Sequence, residues 1–337
     1  FIMMNEHIRD KIIIYCTPID KPGNSSQFVV DAMKRLGLKV FLYAYRNKVN
    51  YENDLLALVE EKKPDYFFTQ KGEILSPELI RKFKKKGCIT IYWCFDAAMG
   101  DWYIPIASEH DFAFSNNEDH VLKLREAGIS NVEWMHQGFA REFFGIEGGE
   151  TFVSPCYADL AMIGTMGSPI YNRRCESALL LKKYGFDIKW WGPHLARNFT
   201  NIKYHLKGVG NIWAGREVYT KDFADVIRHI KIFIGEDADI PITRKYLSNR
   251  SFAVMGCGGF YLCRRTPGVE YAFEIGKEID VFDTDDELIT KVKYYLKNEN
   301  ERKRIATAGQ KKVLEMYTYK KQLGKIFSWV TTKSGNR

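Results

Sequence analysis

Short runs of β-branched and aromatic residues alternate with amphipathic stretches along nearly the whole chain, and few architectures accept that pattern. Runs too short for helices, separated by segments with helical periodicity, predict repeated β-α units around a parallel sheet. In the first half the predicted strands are Lys11–Cys16, Lys39–Ala44, Asp65–Thr69, Cys88–Trp93, Phe112–Ser115 and Asn131–Met135. The predicted helices lie near Gln27–Leu36, Tyr51–Lys62, Pro77–Lys85 and Glu118–Ala127, the last started by Asn116 or Asn117 as N-cap and stopped by Gly128.

The stretch G-I-E-G-G-E-T-F-V-S, from Gly145 to Ser154, is rich in glycine and polar residues near mid-chain, and the β-α pattern restarts beyond it. Strands are expected at Leu160–Ile163, Asp187–Trp191, Ile230–Ile234, Gly259–Cys263 and Asp280–Phe282. Helices are expected at Arg173–Tyr184, Tyr219–Arg228 and Lys245–Met255, with three more from Asp286 to Val330. The fold class is therefore α/β with two Rossmann-like, doubly wound domains. The expected division is 1–148, 149–318 and a final helical segment, 319–337, that packs back on the first domain.

A chain of 337 residues exceeds the size at which one core keeps growing, which agrees with two domains. Hydrophobic residues make up 45% and charged residues 27%, a composition that folds. No apolar run is long enough to span a bilayer, and the opening Phe-Ile-Met-Met-Asn-Glu-His lacks a signal-peptide pattern, so a cytoplasmic chain is expected. Seven scattered cysteines without a C-x-x-C pair predict buried thiols rather than disulfides or zinc. The net charge of +8 suits nucleic acid, an anionic membrane or a phosphorylated substrate without choosing among them. Basic runs such as Arg81–Lys86 read as solvated helix faces. No repeat or low-complexity tract supports a solenoid.

In open α/β sheets ligands bind beyond the carboxyl ends of the strands, where N–H groups and helix N-termini favour anions. Three turns qualify. Thr17 to Ser26 follows the first strand; it is neither a G-x-G-x-x-G fingerprint nor a phosphate loop. Its Gly23, Asn24 and Ser25 either approach a ligand on the acceptor side or form a helix start capped by Ser25 or Ser26. The second turn, Ile163-Gly164-Thr165-Met166-Gly167-Ser168, precedes Arg173-Arg174 and offers close backbone approach, hydroxyls and guanidinium forks suited to a diphosphate. The third runs from Lys245 through Ser248, Asn249 and Arg250 to Gly256-Cys257-Gly258-Gly259, with donors grouped at a helix start. Taken alone, the second reads first as a glycine turn with exposed arginines, and the third reads also as a helix stop at Gly256 to Gly259 with Arg250 in a surface ion pair.

The block from Ser248 to Tyr319, with S-N-R-S-F, G-C-G-G-F-Y-L, P-G-V-E-Y-A-F, G-K-E-I-D-V-F, E-R-K-R-I-A and Y-T-Y, resembles the C-terminal domain of the CgeB-like, spore-maturation-type glycosyltransferases. D-L-A-M-I-G-T-M with N-R-R, T-Q-K-G-E-I-L-S and I-Y-W-C-F-D-A-A through S-N-N extend the resemblance upstream. It implies a GT-B enzyme, its two domains facing across a cleft, with a nucleotide-sugar donor on the second domain and the acceptor mostly on the first. Carried over by motif are Gly164 and Thr165 at the diphosphate turn, Arg173 and Arg250 as phosphate partners, and Gly258 and Gly259 at the helix end. Preorganised cations and N–H dipoles would stabilise the leaving diphosphate without a metal or a resident cofactor.

One departure concerns donor affinity. Related transferases commonly carry Glu where this chain has Ala253, and an acidic residue where it has Lys245; alanine cannot accept ribose hydroxyl hydrogen bonds, and Glu270 is the substitute considered. Candidate bases are Asp96 in W-C-F-D, His136 after a predicted strand, and Asp20 in the first loop. The expected activity is hexosyl transfer from a uridine- or other nucleotide-linked sugar to a hydroxyl of a glycan, a protein or a modified nucleobase. The nucleobase option rests on Trp190, Trp191, Trp213 and Tyr219 set among Lys189, Lys203, Lys207 and Arg216. A nucleotide-sugar epimerase and a silent nucleotide- or glycan-binding protein are the alternatives.

Overall fold

The computed structural model describes residues 7–19 and 23–335. The chain divides into two compact units, the first made of residues 1–138, 244–246 and 318–337, the second of 139–243 and 247–317. The contact boundary thus falls between Gly138 and Phe139, ten residues before the expected division at 148, because Phe139 already bonds through its N–H to the Tyr317 carbonyl of the second unit.

Unit 1 runs β1 (Ile12–Thr17), α1 (Ser25–Arg35), β2 (Lys39–Ala44), α2 (Tyr51–Lys62), β3 (Tyr66–Gln70), α3 (Pro77–Lys85), β4 (Ile89–Cys94), α4 (Tyr103–Glu109), β5 (Phe112–Ser115), α5 (Glu118–Glu126) and β6 (Val132–Trp134). Its strands form one parallel sheet in the order β2-β1-β3-β4-β5-β6. Strands such as β4, Ile-Thr-Ile-Tyr-Trp-Cys, are buried almost throughout, as expected of a sheet covered on both faces. Ile14, Phe67, Tyr92, Leu79 and Phe83 lie in the core on one side.

Unit 2 contains α6 (Arg141–Phe144), β7 (Ala158–Ile163), α7 (Asn172–Lys183), β8 (Ile188–Trp191), α8 (Ile202–Leu206), α9 (Thr220–Arg228), β9 (Ile230–Gly235), α10 (Asn249–Gly256), β10 (Tyr261–Arg264), α11 (Val269–Ala272), β11 (Asp280–Phe282), α12 (Asp285–Lys297) and α13 (Glu299–Met316). Its parallel sheet has the order β11-β10-β9-β7-β8 over a core that includes Leu160, Trp190, Ile232, Leu262 and Val292. The last helix, α14 (Tyr319–Ser334), belongs to unit 1, where it packs on α1 and brings Phe327 against Tyr66 and Phe68, and Trp329 against Phe112 and Phe114.

Both sheets reverse their winding direction once, between β1 and β3 in unit 1 and between β7 and β9 in unit 2. Those reversals are the places where an α/β sheet opens a crevice at its carboxyl edge. Six of the seven cysteines are buried and all are free thiols. Among the described residues no helix is long and apolar enough to cross a membrane.

Candidate functional site

At the switch point of unit 2, β7 ends at Ile163 and the chain turns at Gly164 with φ of +118°. The turn is pinned on both sides: the Gly164 N–H donates to the Trp191 carbonyl at 2.9 Å, and the Gly164 carbonyl accepts from the Trp190 indole at 2.6 Å. A side chain here would meet Arg250 Nη2 at 3.0 Å and Arg174 Nη1 at 3.2 Å. Glycine is therefore needed twice over, for the backbone angle and for the two guanidinium groups that lie against it.

Arg174 is 5% exposed. Its Nη1 donates to the Thr165 carbonyl at 2.6 Å and its Nε to the Glu236 carbonyl at 2.8 Å, while the guanidinium lies 4.0 Å over the Tyr171 ring. Burial pushes its pKa down to about 9, and the Arg250 charge acts in the same direction. Arg250, from the first turn of α10, donates to the same Glu236 carbonyl at 3.1 Å and stands 3.9 Å from Asp237. Two cations held close together mainly by carbonyl oxygens make a seat for an anion.

Below this pair, Glu236 is buried and accepts from Ser177 Oγ at 2.5 Å and from Arg264 Nε at 2.9 Å. Burial holds its carboxyl above the usual carboxylate range against the pull of Arg264 and Ser177. Asp239 accepts the Asn172 N–H at 2.6 Å and so caps the start of α7. A cavity of about 120 Å³ opens beside these groups, lined by Arg173, Glu236, Asp237, Arg264 and Thr266 among others. Ser248 caps α10 by accepting the Arg250 N–H at 3.3 Å. Asn249 Oδ1, next to it, is a buried acceptor with no hydrogen-bond partner among the described residues.

The structure brings together Gly164, Thr165 and Arg250 as the sequence implied, and adds Arg174 in place of Arg173, whose side chain is exposed at the rim. The signal for Arg174 was available: it shares the inward face of α7 with Ala178 and Leu181, at helical spacing. Glu236 and Asp237 carry no sequence signal of their own, since they follow β9, an apolar strand whose pattern marks burial alone.

Four other expectations need correction. Lys245 is not in the first turns of α10, which starts at Asn249; it pairs with Glu118 at 3.1 Å in unit 1 and lies 5.6 Å from the Trp134 ring. Gly258 and Gly259 follow the carboxyl end of α10 and precede β10, at the opposite edge of the sheet from Gly164. Their role is packing, since a side chain would meet the Glu150 carbonyl oxygen at 2.3 Å at Gly258 or Ile227 at 2.5 Å at Gly259. Glu270 is engaged by Arg265, which also holds Asp283 at 2.9 Å. Trp190 and Trp191 are buried and offer no open face to a nucleobase.

In unit 1, Asn24 rather than Ser25 or Ser26 caps α1, its Oδ1 accepting the Ser26 N–H at 3.0 Å after Gly23 turns at φ of +79°. Ser25 Oγ accepts from Gln70 Nε2 at 3.3 Å. Asp20 lies outside the described residues. Asp96, just beyond β4, faces Lys71 at 3.3 Å. Lys71 has φ of +68°, a left-handed angle unusual for lysine, and its carbonyl accepts from the Tyr92 hydroxyl at 2.7 Å while the next N–H, of Gly72, donates to the Tyr45 hydroxyl at 2.8 Å. His136 is buried, with Nδ1 2.8 Å from the Gln137 carbonyl oxygen, and burial pushes its pKa down to about 4, too low for an effective base near neutrality. Among the described residues no group of three or more His, Cys, Asp or Glu side chains is placed to hold a metal ion.

Residues 173–328 match a family model described as glycosyl transferase-like. Comparison of the sequence with curated proteins gives no match. Among solved structures, sucrose-phosphate synthase from Thermosynechococcus elongatus superposes over 96% of this chain and 100% of its own, with a TM-score of 0.68 at 9% identity. HepE from Anabaena, in complex with UDP and glucose, covers 96% and 100% with a TM-score of 0.65 at 11% identity. The lipopolysaccharide outer core galactosyltransferase WaaB covers 95% and 99% with a TM-score of 0.64 at 9% identity. The stretch that holds Arg174, Glu236 and Arg250 is thus the part of the chain matched by the glycosyl transferase-like family, and the chain as a whole has the two-sheet fold of the GT-B glycosyltransferases.

Proposed function

We propose that the protein is a nucleotide-sugar-dependent glycosyltransferase, of the CgeB-like kind, whose donor diphosphate sits at Gly164 between Arg174 and Arg250. The observation that carries this reading is the pair of guanidinium groups held against one left-handed glycine at the switch point of the second sheet. Negative charge grows on the leaving diphosphate as the glycosidic bond breaks, and cations already fixed by carbonyl partners stabilise it without reorganising. The match to the glycosyl transferase-like model and the UDP in the HepE complex support the same choice. Asn249 Oδ1, still lacking a partner, is the acceptor on this helix start that a ribose or sugar hydroxyl would satisfy.

On the acceptor side we assign the base to Asp96, with Lys71 3.3 Å away positioning the carboxylate and the acceptor being a hydroxyl of a glycan or a protein. The two residues follow the ends of neighbouring strands, β3 and β4, at one carboxyl edge. No metal or resident cofactor enters this scheme.

Thermal stabilisation and slow hydrolysis across a panel of nucleotide sugars test the reading. One donor is expected to raise the melting temperature of the parent, and Arg250→Ala to weaken its binding roughly ten- to a hundredfold, the range for one charge-assisted hydrogen-bonding group. If no nucleotide sugar or free nucleotide stabilises either the parent or Ala253→Glu, the donor assignment is wrong.

A further inference from the structure

The connection between β8 and α9 carries a surface that donor binding does not use. A single turn of 3-10 helix, Phe199–Asn201, leads directly into α8, and Phe199, Ile202 and Leu206 are 88%, 46% and 83% exposed. Residues three apart eclipse in a 3-10 turn and residues four apart align on an α-helix, so these three large apolar side chains share one face. Lys203 and Lys207 have the same four-residue spacing one position on, which sets a cationic stripe beside the apolar one.

The element is anchored and does not fold back on its own apolar face. Tyr204 is buried, and its hydroxyl donates to Asn172 at 3.0 Å and Glu176 at 3.2 Å. Asn201 is fully buried, its Oδ1 accepting the Ser168 N–H at 2.8 Å and its amide donating to the Ala196 carbonyl at 3.2 Å. Ser168 closes the same turn that begins at Gly164, so the exposed face is fixed to the candidate donor site.

Charge along this connection is mostly positive, with Glu176 and Glu217 at its borders and Arg216 paired to Asp222 at 3.0 Å. From Ser177 to Arg216 the sequence has seven Lys or Arg residues and one carboxylate, Asp187, a net +6 of the chain's total of +8. Lys182 from α7 belongs to this set, its ammonium lying 3.8 Å from where a side chain on Gly208 would begin, just past α8.

We infer that this face of unit 2 docks on the surface of an anionic phospholipid bilayer, with Phe199, Ile202 and Leu206 entering the headgroup boundary and the lysines meeting lipid phosphates. Exposed apolar groups flanked by cations are the composition of an interfacial helix, and each element of it acts on a different part of the lipid. A nucleic acid fits less well: aliphatic Ile202 and Leu206 give bases nothing to stack on, and the neighbouring Trp190 and Trp191 are buried.

Co-sedimentation of the full chain with phosphatidylcholine vesicles, with and without phosphatidylglycerol, tests this. The parent is expected to bind the anionic vesicles, less so as salt is raised, and to leave pure phosphatidylcholine largely unbound. Phe199→Ser with Leu206→Ser should lower the partition coefficient about tenfold or more, and Lys203→Glu with Lys207→Glu by at least a similar factor. All four side chains are solvent-exposed, and unchanged melting curves verify that the variants fold. No binding of the parent to anionic vesicles overturns the inference. So does vesicle binding that the serine pair leaves unchanged, or single-stranded DNA binding that displaces the vesicles and is equally insensitive to the serine pair.

Discussion

Gly164 shows how much one missing side chain determines. Its φ of +118° is open to glycine and strained for other residues, and the space a Cβ would take is occupied by Arg174 and Arg250. Gly164→Ala is therefore expected to destabilise the protein by about 1–3 kcal/mol and to reduce nucleotide affinity at the same time. Chemical denaturation together with nucleotide titration measures both, and a stable variant with parental affinity would show that the arginines have room to move aside. The components of this candidate site were legible from residues: I-G-T-M-G-S after a strand, with arginines at the following helix, offers groups suited to an anion, although the same residues also read as a glycine turn with exposed arginines. What escaped was which arginine points inward. The choice between Arg173 and Arg174 depends on the rotation of α7 about its axis, which the flanking Ala178 and Leu181 fix through packing and which no two-residue motif contains. Lys71 escaped for a different reason, since its left-handed angle is imposed by the hydroxyls of Tyr45 and Tyr92, far from it in sequence.

Among the elements, the strands were the most legible part of the chain, because runs buried on both faces have few alternatives. The start of α10 was misplaced by four residues, as Lys245-Tyr246-Leu247 continues the helical spacing of apolar groups backwards. Ser248 carries the true start signal, being an N-cap type directly before the helix. The short α4 and α8 left little periodicity to detect, and Pro105 lies inside the first of them. The energetics of α14 are clearer. Phe327 is 1% exposed and contacts the rings of Tyr66 and Phe68, so Phe327→Ala should destabilise unit 1 by about 3–5 kcal/mol, the cost typical of a buried aromatic. Urea unfolding monitored by hydrogen exchange in β3 would register the loss, and unchanged protection there would mean that α14 is dispensable to the sheet.

At the scale of the molecule, the two units differ in how they meet acid. His110, His120 and His136 are all buried in unit 1, and burial pushes each pKa down to about 4. Above the unfolded value near 6.5 both states are neutral and these groups contribute nothing. As pH falls from there towards 4, the unfolded chain takes up protons that the folded unit refuses, and stability drops, by roughly 3 kcal/mol at most for each group. Hydrogen exchange compared at neutral and mildly acidic pH is therefore expected to show protection lost in β3 to β6 ahead of β7 to β11; equal loss in both sheets would contradict the assignment of the neutral histidines.

Unit 1 is also discontinuous, since the strands precede unit 2 in the sequence and α14 follows it. A ribosome delivers the six strands first and their covering helix last. For as long as residues 139–317 are being made, the rings of Tyr66, Phe68, Phe112 and Phe114 lack their aromatic partners Phe327 and Trp329. The nascent sheet therefore keeps part of one apolar face uncovered until the second unit has been made, and in that interval these rings are open to a chaperone.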